Sequence, residues 1–168
     1  MTTAANARIN IRTFRPGDET AQVAIYNTAT TGLPGFKVAT VEEVARRHRA
    51  ADFDPGTKLY AELDGRVVGY ISFSTSGRIS VPWCLADAAE ARGPLMSAAL
   101  CALKGRGLAR AWAAYRADWT GVRSQLESYG FRLDHEVINF VAALAVVQAA
   151  RLPCHVRKRR RAACTTFP

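Results

Sequence analysis

The alternation of hydrophobic and polar residues predicts a strand and then a helix at the start of the chain. Ile9 and Ile11 share one face in the stretch 9–15, which is typical of a half-buried strand. A Pro-Gly pair then interrupts the pattern, and apolar residues at helical spacing follow from Asp18 to about Thr30. We expect Asp18 to cap this helix, because Asp is among the preferred N-cap residues.

The next stretch predicts a second helix and a β-hairpin. Thr40 and Glu43 have the spacing of a capping box, so a helix is expected to begin at Thr40. The segments 58–63 and 66–74 alternate as strands do and flank Asp64-Gly65. This dipeptide is a strong hairpin signal, because both central positions of a type I′ turn need positive φ.

A third strand of the same meander is predicted at 78–85, where apolar residues alternate with other side chains. Pro82 lies inside this strand and has no N–H to give a neighbouring strand, so a regular central strand is a poor interpretation. One alternative is an edge strand. The other is a β-bulge that separates this strand from its neighbour and leaves backbone groups free.

The second half of the chain alternates single strands with helices. A polar loop at 86–93 leads into a helix that begins at Pro94, which suits a first helical turn. A buried strand is predicted at 108–115, then a helix capped by Asp118, then a strand at 131–141. Strands separated by helices indicate parallel crossovers, so the order predicts an α/β architecture with a mixed sheet.

Composition limits the broad class of the protein. The chain has 168 residues, 49% of them hydrophobic and 22% charged, which suits one soluble globular domain. It contains no apolar run of the ~18 residues that a membrane helix needs. The first residues do not resemble a secretory signal, so we expect a cytoplasmic protein. The four cysteines form no CxxC pair and no zinc-ligand spacing with histidine, so we expect free thiols and no metal site.

Three stretches carry a resemblance to a known family. They are the opening strand with its RPGD turn and helix, the run GYISFS…RISVPWCL, and the 108–115 strand followed by SQLESYGFR. Over 9–141 they resemble the GNAT superfamily of N-acetyltransferases. The resemblance implies a mixed central sheet of about six to seven strands flanked by about four helices, with acetyl-CoA as the cosubstrate.

The family's cofactor loop reads Gln or Arg, two residues, Gly, one residue, then Gly or Ala. Here Arg92 and the small Ser97 match the ends of that pattern, whereas Leu95 replaces the central Gly. A helix N-terminus attracts pyrophosphate through its unpaired N–H groups and partial positive charge. The ordinary alternative is a helix-start turn that binds nothing. The expected cofactor-binding residues are Trp83, Cys84, Leu85, Arg92, Gly93, Pro94, Leu95, Ser97 and Ala98.

The resemblance implies direct attack of an amine on a thioester. This chemistry needs positioning, an oxyanion donor and proton transfers. We expect the backbone freed after Pro82 to supply the oxyanion donor and to pair with pantetheine. Many family members have a general-acid Tyr where this chain has Leu126, and an Asn where it has Trp119. The proton-transfer candidates nearest the expected cleft are Tyr115 and Asp118, and the alternatives are Tyr129, Glu62, His135 or a water chain.

Charge separates the C-terminal tail from the rest. Six of the 23 Lys and Arg residues follow residue 150, and all 14 acidic residues lie at or before Glu136, so the remainder carries 17 − 14 = +3. We predict a domain at 1–141 and a basic, disordered tail at 142–168. The alternatives for the tail are a nucleic-acid or anionic-surface arm, a targeting signal, or a change of reading frame where the resemblance stops.

These observations favour an acetyl-CoA-dependent N-acetyltransferase that acts on a small-molecule or protein amine, as a monomer or homodimer. A GNAT-like module that binds acyl-CoA or a partner but catalyses poorly is the alternative, since Leu95 and Leu126 depart from the family pattern. A third hypothesis, nucleic-acid association through the tail, is weakened because no aromatic residues interleave the basic ones.

Overall fold

The structure is a computed structural model and describes residues 9–136. The chain divides into two units between Asp134 and His135, and every helix and strand named below belongs to the first unit. The predicted tail at 142–168 lies outside the described residues, as do residues 137–141 of the predicted strand at 131–141. None of the helices in the described part is long and apolar enough to cross a membrane.

The described residues form one antiparallel sheet. Its strands are β1 (Asn10–Thr13), β2 (Lys58–Leu63), β3 (Arg66–Ser72) and β4 (Trp83–Cys84), in the spatial order β1-β2-β3-β4. Each neighbouring pair is antiparallel. The predicted α/β class is confirmed, whereas a mixed sheet of six to seven strands is not found within residues 9–136.

The hairpin between β2 and β3 follows from its turn residues, as predicted. Asp64 has φ 51° and Gly65 has φ 77°, which are the two positive values that a type I′ turn requires. The turn pairs Leu63 with Arg66 and so determines the register of the strands on either side.

Within residues 9–136 four helices flank the sheet, in agreement with the predicted number. They are α1 (Asp18–Thr30), α2 (Val41–His48), α3 (Arg92–Gly105) and α4 (Thr120–Ser128), with 3₁₀ turns at Pro55–Thr57 and Ala86–Ala91. The predicted cap of α2 is confirmed, because the Thr40 side chain accepts a hydrogen bond from the Glu43 N–H. The predicted loop at 86–93 is instead a 3₁₀ helix that continues directly into α3.

Two predicted helix caps are wrong. Gly17, with φ 100°, is the N-cap of α1. Asp18 is the first helical residue, and its carboxylate binds the Arg12 guanidinium and the Arg15 N–H instead. Trp119 occupies the N-cap position of α4, while the Asp118 carboxylate is paired with Arg116. In both cases an arginine outcompetes the helix terminus for the carboxylate, since charge-assisted hydrogen bonds are the stronger ones.

The sheet separates two hydrophobic clusters. One face packs mainly against α3 and contains Leu59, Ala61, Val68, Ile71, Phe73, Ile79, Cys84, Leu95, Met96, Ala99 and Leu103. The other face packs mainly against α1 and α4 and contains Ile25, Tyr60, Tyr70, Val81, Trp83, Trp119 and Val122. Alternation along the strands accounts for most of this division, because successive side chains point to opposite faces. Val68 is an exception: the pairing shifts between Ala61 and Glu62 and leaves it without a partner in β2, so it joins the α3 face although Tyr70, two residues later, lies on the other.

The predicted strand at 108–115 is reduced to one parallel bridge, between Arg78 and Trp112. Several of its residues, including Trp112 and Ala114, are exposed rather than buried. Residues 131–136 form no strand. The apolar composition of 108–115 indicated a buried strand. The segment instead contacts the chain before β4 around one bridge, and most of its residues form no backbone hydrogen bonds of the sheet.

Candidate active site at the β4 bulge

A β-bulge interrupts the antiparallel pairing just before β4. Phe73 faces Ile79 and Tyr70 faces Trp83, so three steps along β3 correspond to four along the partner. The extra residue lies in the stretch that contains Pro82, which cannot donate to the ladder. Pro82 therefore fits both alternatives, the bulge and the edge strand. It lies in the bulged stretch, and β4, which follows it, is the last strand of the described sheet.

The bulge determines which way the backbone of β4 points. Leu85 donates its N–H to the Val68 carbonyl at 2.9 Å. Because successive backbone groups of a strand point in opposite directions, the N–H and C=O of Cys84 face the outer edge of the sheet. The Cys84 side chain lies in the core, where burial raises the pKa of its thiol to about 11. The thiol is therefore a packing group, and its backbone is the part available to a ligand.

Segment 111–115 meets the chain before β4 at one end and separates from it at the other. Ile79 donates to the Trp112 carbonyl and Trp112 donates to the Gly77 carbonyl, both at 2.9 Å. At the other end the Val81 N–H donates to the Tyr115 hydroxyl at 2.8 Å. The two backbones are therefore separated there by the length of a tyrosine side chain. The two segments thus form a wedge that opens toward β4.

Tyr115, a predicted catalytic residue, lies inside this wedge. Its ring contacts Trp83 and Trp119 at centroid distances of 6.4 and 6.0 Å. Burial raises the pKa of its hydroxyl to about 12, against a smaller opposing effect from the Val81 N–H. At neutral pH the phenol therefore keeps its proton. Its oxygen accepts from Val81, and its O–H remains available to a ligand.

The other proton-transfer candidates lie elsewhere. Asp118 is on an exposed turn, and its carboxylate accepts two hydrogen bonds from Arg116 at 2.7 and 2.9 Å. These bonds lower the pKa of Asp118. Glu62 is paired with Arg12 at 2.6 Å in β2, and His135 is exposed outside any strand. The structure therefore brings Tyr115 to the bulge and leaves Asp118 outside the residues that line the adjacent cleft.

The start of α3 contains the remaining predicted cofactor residues. Arg92, Gly93 and Pro94 are exposed, and Ser97 is exposed one turn later. The Arg92 N–H is already bonded to the Ala89 carbonyl, and Pro94 has no N–H, so among these three residues the backbone donor expected to reach a ligand is the Gly93 N–H. Ala98 is half-buried, and Leu95 is fully buried and packs near Gly69 in β3. The side chain of Leu95 therefore belongs to the core.

A cleft of about 300 Å³ borders the wedge on its Tyr115 side. Its lining combines apolar residues, among them Phe73 and Ile79, with polar ones that the sequence did not single out, namely Lys58, Ser72, Ser74, Arg78 and Ser80. The sequence feature that could have identified some of these cleft residues is a polar side chain within a strand whose neighbouring residues are apolar and buried. It applies to Lys58 and Ser72, which lie at the ends of β2 and β3.

Comparisons with known proteins agree with this architecture. No family profile matches the chain. A mycothiol acetyltransferase of Stackebrandtia nassauensis is 38% identical over 114 residues, which cover 61% of this chain and 37% of that protein. A second mycothiol acetyltransferase, from Acidothermus cellulolyticus, is 40% identical over 63 residues, or 37% of this chain and 19% of that protein. The chain thus matches about a third or less of the length of these curated relatives.

Solved structures with a similar fold include several described as acetyltransferases. Ard1 from Thermoplasma volcanium has a TM-score of 0.60 and 22% identity, with 76% of this chain and 84% of that chain covered. A GNAT family acetyltransferase from Brucella melitensis, solved in complex with acetyl-CoA, has a TM-score of 0.56 and 20% identity. That match covers 76% of this chain and 85% of that chain. These likenesses confirm a GNAT-like α/β fold, which is the coarser part of the prediction.

Proposed function

Because this chain has the GNAT fold, we propose that it transfers the acetyl group of acetyl-CoA to an amine by direct attack. The observation that carries the proposal is the β4 bulge. It turns the backbone of Cys84 outward beside a protonated Tyr115 hydroxyl, at the open side of a wedge between two chain segments. The names of the sequence relatives and the acetyl-CoA complex of the Brucella protein support acetyl transfer as the reaction class.

The residues present fit acetyl-CoA at two places. The outward N–H and C=O of Cys84 suit the amide groups of pantetheine, which carry matching acceptors and donors. Arg92 and the Gly93 N–H, at the exposed start of α3, suit a pyrophosphate. When bound, acetyl-CoA supplies an acetyl group activated as a thioester.

Tyr115 is the proposed catalytic residue. Its raised pKa keeps the proton on the phenol, so the hydroxyl can donate a hydrogen bond to negative charge that develops during transfer. Val81 holds the oxygen in place through its N–H. Asp118 remains the second predicted residue. Its hydrogen bonds with Arg116 lower its pKa, so it is a carboxylate that has no proton to donate.

A second candidate function is a binding module with little catalytic activity. Leu126, which replaces the family's tyrosine, is half-buried against both hydrophobic clusters. Trp119, which replaces the family's asparagine, is buried and donates its Nε1–H to the Pro34 carbonyl at 2.8 Å. Both positions therefore serve packing in this chain, and catalysis depends on Tyr115 instead.

Two measurements on the full chain separate these functions. Calorimetric titration with acetyl-CoA tests binding. Absence of binding at high micromolar concentrations would contradict both the transferase and the acyl-CoA-binding module. Acetylation of an amine panel tests turnover. Because the chain has four cysteines of its own, product CoA should be followed by chromatography rather than with a thiol reagent. Binding without turnover across the panel would favour the binding module over the transferase.

A further inference from the structure

A row of polar side chains crosses the sheet at its open end. Lys58 in β2 faces Ser72 in β3, and Ser80 follows on the next segment, since its N–H donates to the Ser72 carbonyl at 2.8 Å. The Ser80 hydroxyl also accepts from the Ser72 N–H at 3.0 Å. By strand alternation these residues share the face of Tyr60 and Tyr70, which α1 and α4 cover further along. The row is open to the cleft.

Among the described residues, the two charged side chains that line the cleft are both positive. Lys58 and Arg78 both line the cleft, and Arg47 is close enough to act electrostatically on Lys58. Within residues 9–136, no ion pair joins a carboxylate to Lys58 or Arg78; Arg78 is held over the Trp112 ring, 5.6 Å from its centroid. Burial and the charge of Arg47 both lower the pKa of Lys58, so among the described residues this ammonium lacks the anionic partner that a half-buried cation normally has.

We propose that this cleft binds an oxyanion, a carboxylate or a phosphate, on the acceptor of the acetyl group. The inference rests on the proposed function and names its substrate class. Lys58 and Arg78 supply the charge. The Ser80 hydroxyl accepts from the Ser72 N–H at 3.0 Å and from the Ser72 hydroxyl at 3.4 Å, so its own proton is the one it can donate to the anion. Tyr115 lines the same cleft, so an amine on the bound molecule reaches the bulge while its anionic group stays at Lys58.

The cleft also explains which amines would be poor acceptors. A simple ammonium compound would meet the two cations of the cleft and gain no compensating contact. An amino acid or an amino-sugar phosphate carries both the nucleophile and the anion, and a cleft of about 300 Å³ is at the small end of ligand sites. The acceptor class is therefore a small zwitterionic molecule.

The binding test uses inorganic phosphate and acetate, titrated into the full chain with saturating CoA so that the start of α3 is occupied. Lys58→Met removes the charge and keeps the side-chain length, Lys58→Arg keeps the charge, and Lys104→Met is the matched control at the exposed end of α3. We expect Lys58→Met to weaken anion binding about tenfold or more, as loss of a charged hydrogen bond does, and the control to change nothing. Equal binding by Lys58→Met and wild type, or no binding of either anion, would overturn the inference.

The kinetic test compares matched acceptors, glycine against glycinamide and glucosamine 6-phosphate against glucosamine. A lower KM for the anionic member, lost in Lys58→Met and retained in Lys58→Arg, supports the inference, and the preferred pair distinguishes carboxylate from phosphate. Equal KM values within both pairs, with turnover intact, contradict the inference alone. CoA binding is measured in a separate titration, and failure of CoA to bind contradicts the proposed function itself.

Discussion

The backbone N–H of Val81 donates to the hydroxyl of Tyr115 at 2.8 Å, across the wedge between two segments of the chain. This contact joins the bulge at Pro82 to the only residue of the predicted catalytic pair that lines the cleft. It also explains why the wedge opens, because the tyrosine side chain holds apart two backbones that pair directly at Ile79 and Trp112.

Tyr115→Phe tests this contact. The substitution keeps the ring against Trp83 and Trp119 but leaves the Val81 N–H without its acceptor, which costs about 1–3 kcal/mol of unfolding free energy. We expect kcat to fall about 100-fold, the size of one lost proton-transfer or oxyanion contact, with acetyl-CoA affinity nearly unchanged. Steady-state kinetics and calorimetry measure the two effects. Tyr129→Phe removes the hydroxyl of the alternative candidate at the end of α4 and is measured in the same assay. Unchanged kcat in Tyr115→Phe would exclude a catalytic role for the Tyr115 hydroxyl.

Gly69 is the residue that lets β3 and α3 approach β4. A Cβ at this position would lie 2.6 Å from the Cys84 Sγ, 3.1 Å from the Trp83 carbonyl oxygen and 3.2 Å from Leu95 Cδ1. Gly69→Ala is therefore expected to lower the unfolding free energy by about 2 kcal/mol, the usual size of overpacking, and to weaken acetyl-CoA binding as β4 shifts.

A second substitution, at Cys84, is expected to restore part of the stability that Gly69→Ala loses. Cys84→Ala removes the closest atom, so the double variant is expected to be more stable than additivity predicts, by about 1 kcal/mol, in urea unfolding. Gly121→Ala, in α4 with open space around the new Cβ, is the control and should not destabilise the protein. Strict additivity in the double variant would show that the clash lies with the backbone instead.

Local chemistry accounts for what the sequence could predict. The Asp64-Gly65 turn and the Thr40 cap depend on neighbouring residues alone, and both were found where expected. Asp18 and Asp118 failed as caps because arginines, one of them six residues away, took their carboxylates. The Lys58 row needs three segments to come together, so no single stretch of sequence displays it.

Arg12 holds the start of α1 to the sheet. Its guanidinium binds the Asp18 carboxylate at 2.7 and 2.8 Å and Glu62 at 2.6 Å, with 10% of its side chain exposed. Burial opposes ionisation of Asp18, but the Arg12 and Arg15 hydrogen bonds outweigh it and lower the Asp18 pKa. Arg12→Met leaves both carboxylates without this partner and is expected to cost about 3–5 kcal/mol in denaturant unfolding.

Arg15→Met is the matched control for Arg12, because its side chain is 64% exposed and lies 3.8 Å from Glu62. We expect it to change the unfolding free energy by less than about 1 kcal/mol. The Asp18 contribution is present above the unfolded pKa of about 3.9 and is lost as pH falls through the lower folded value. A loss in Arg12→Met no larger than in Arg15→Met would mean that the network does not stabilise the fold.

His48 predicts a loss of stability on the acid side of neutrality. Its side chain is 3% exposed and packs against Phe14 and Phe53, with ring centroids 4.6 and 4.5 Å away. Burial and the nearby charge of Lys58 lower the His48 pKa, although Glu19, 3.5 Å from Nδ1, opposes this. The unfolded chain therefore binds a proton at His48 more readily than the folded one, so stability is full above about pH 6.5 and falls as pH drops below it.

Thermal unfolding between pH 5 and 8 measures how steeply stability depends on pH. His48→Phe should reduce this slope, because a third aromatic ring fits the same site and does not titrate. An unchanged slope in His48→Phe would assign the acid sensitivity to other groups.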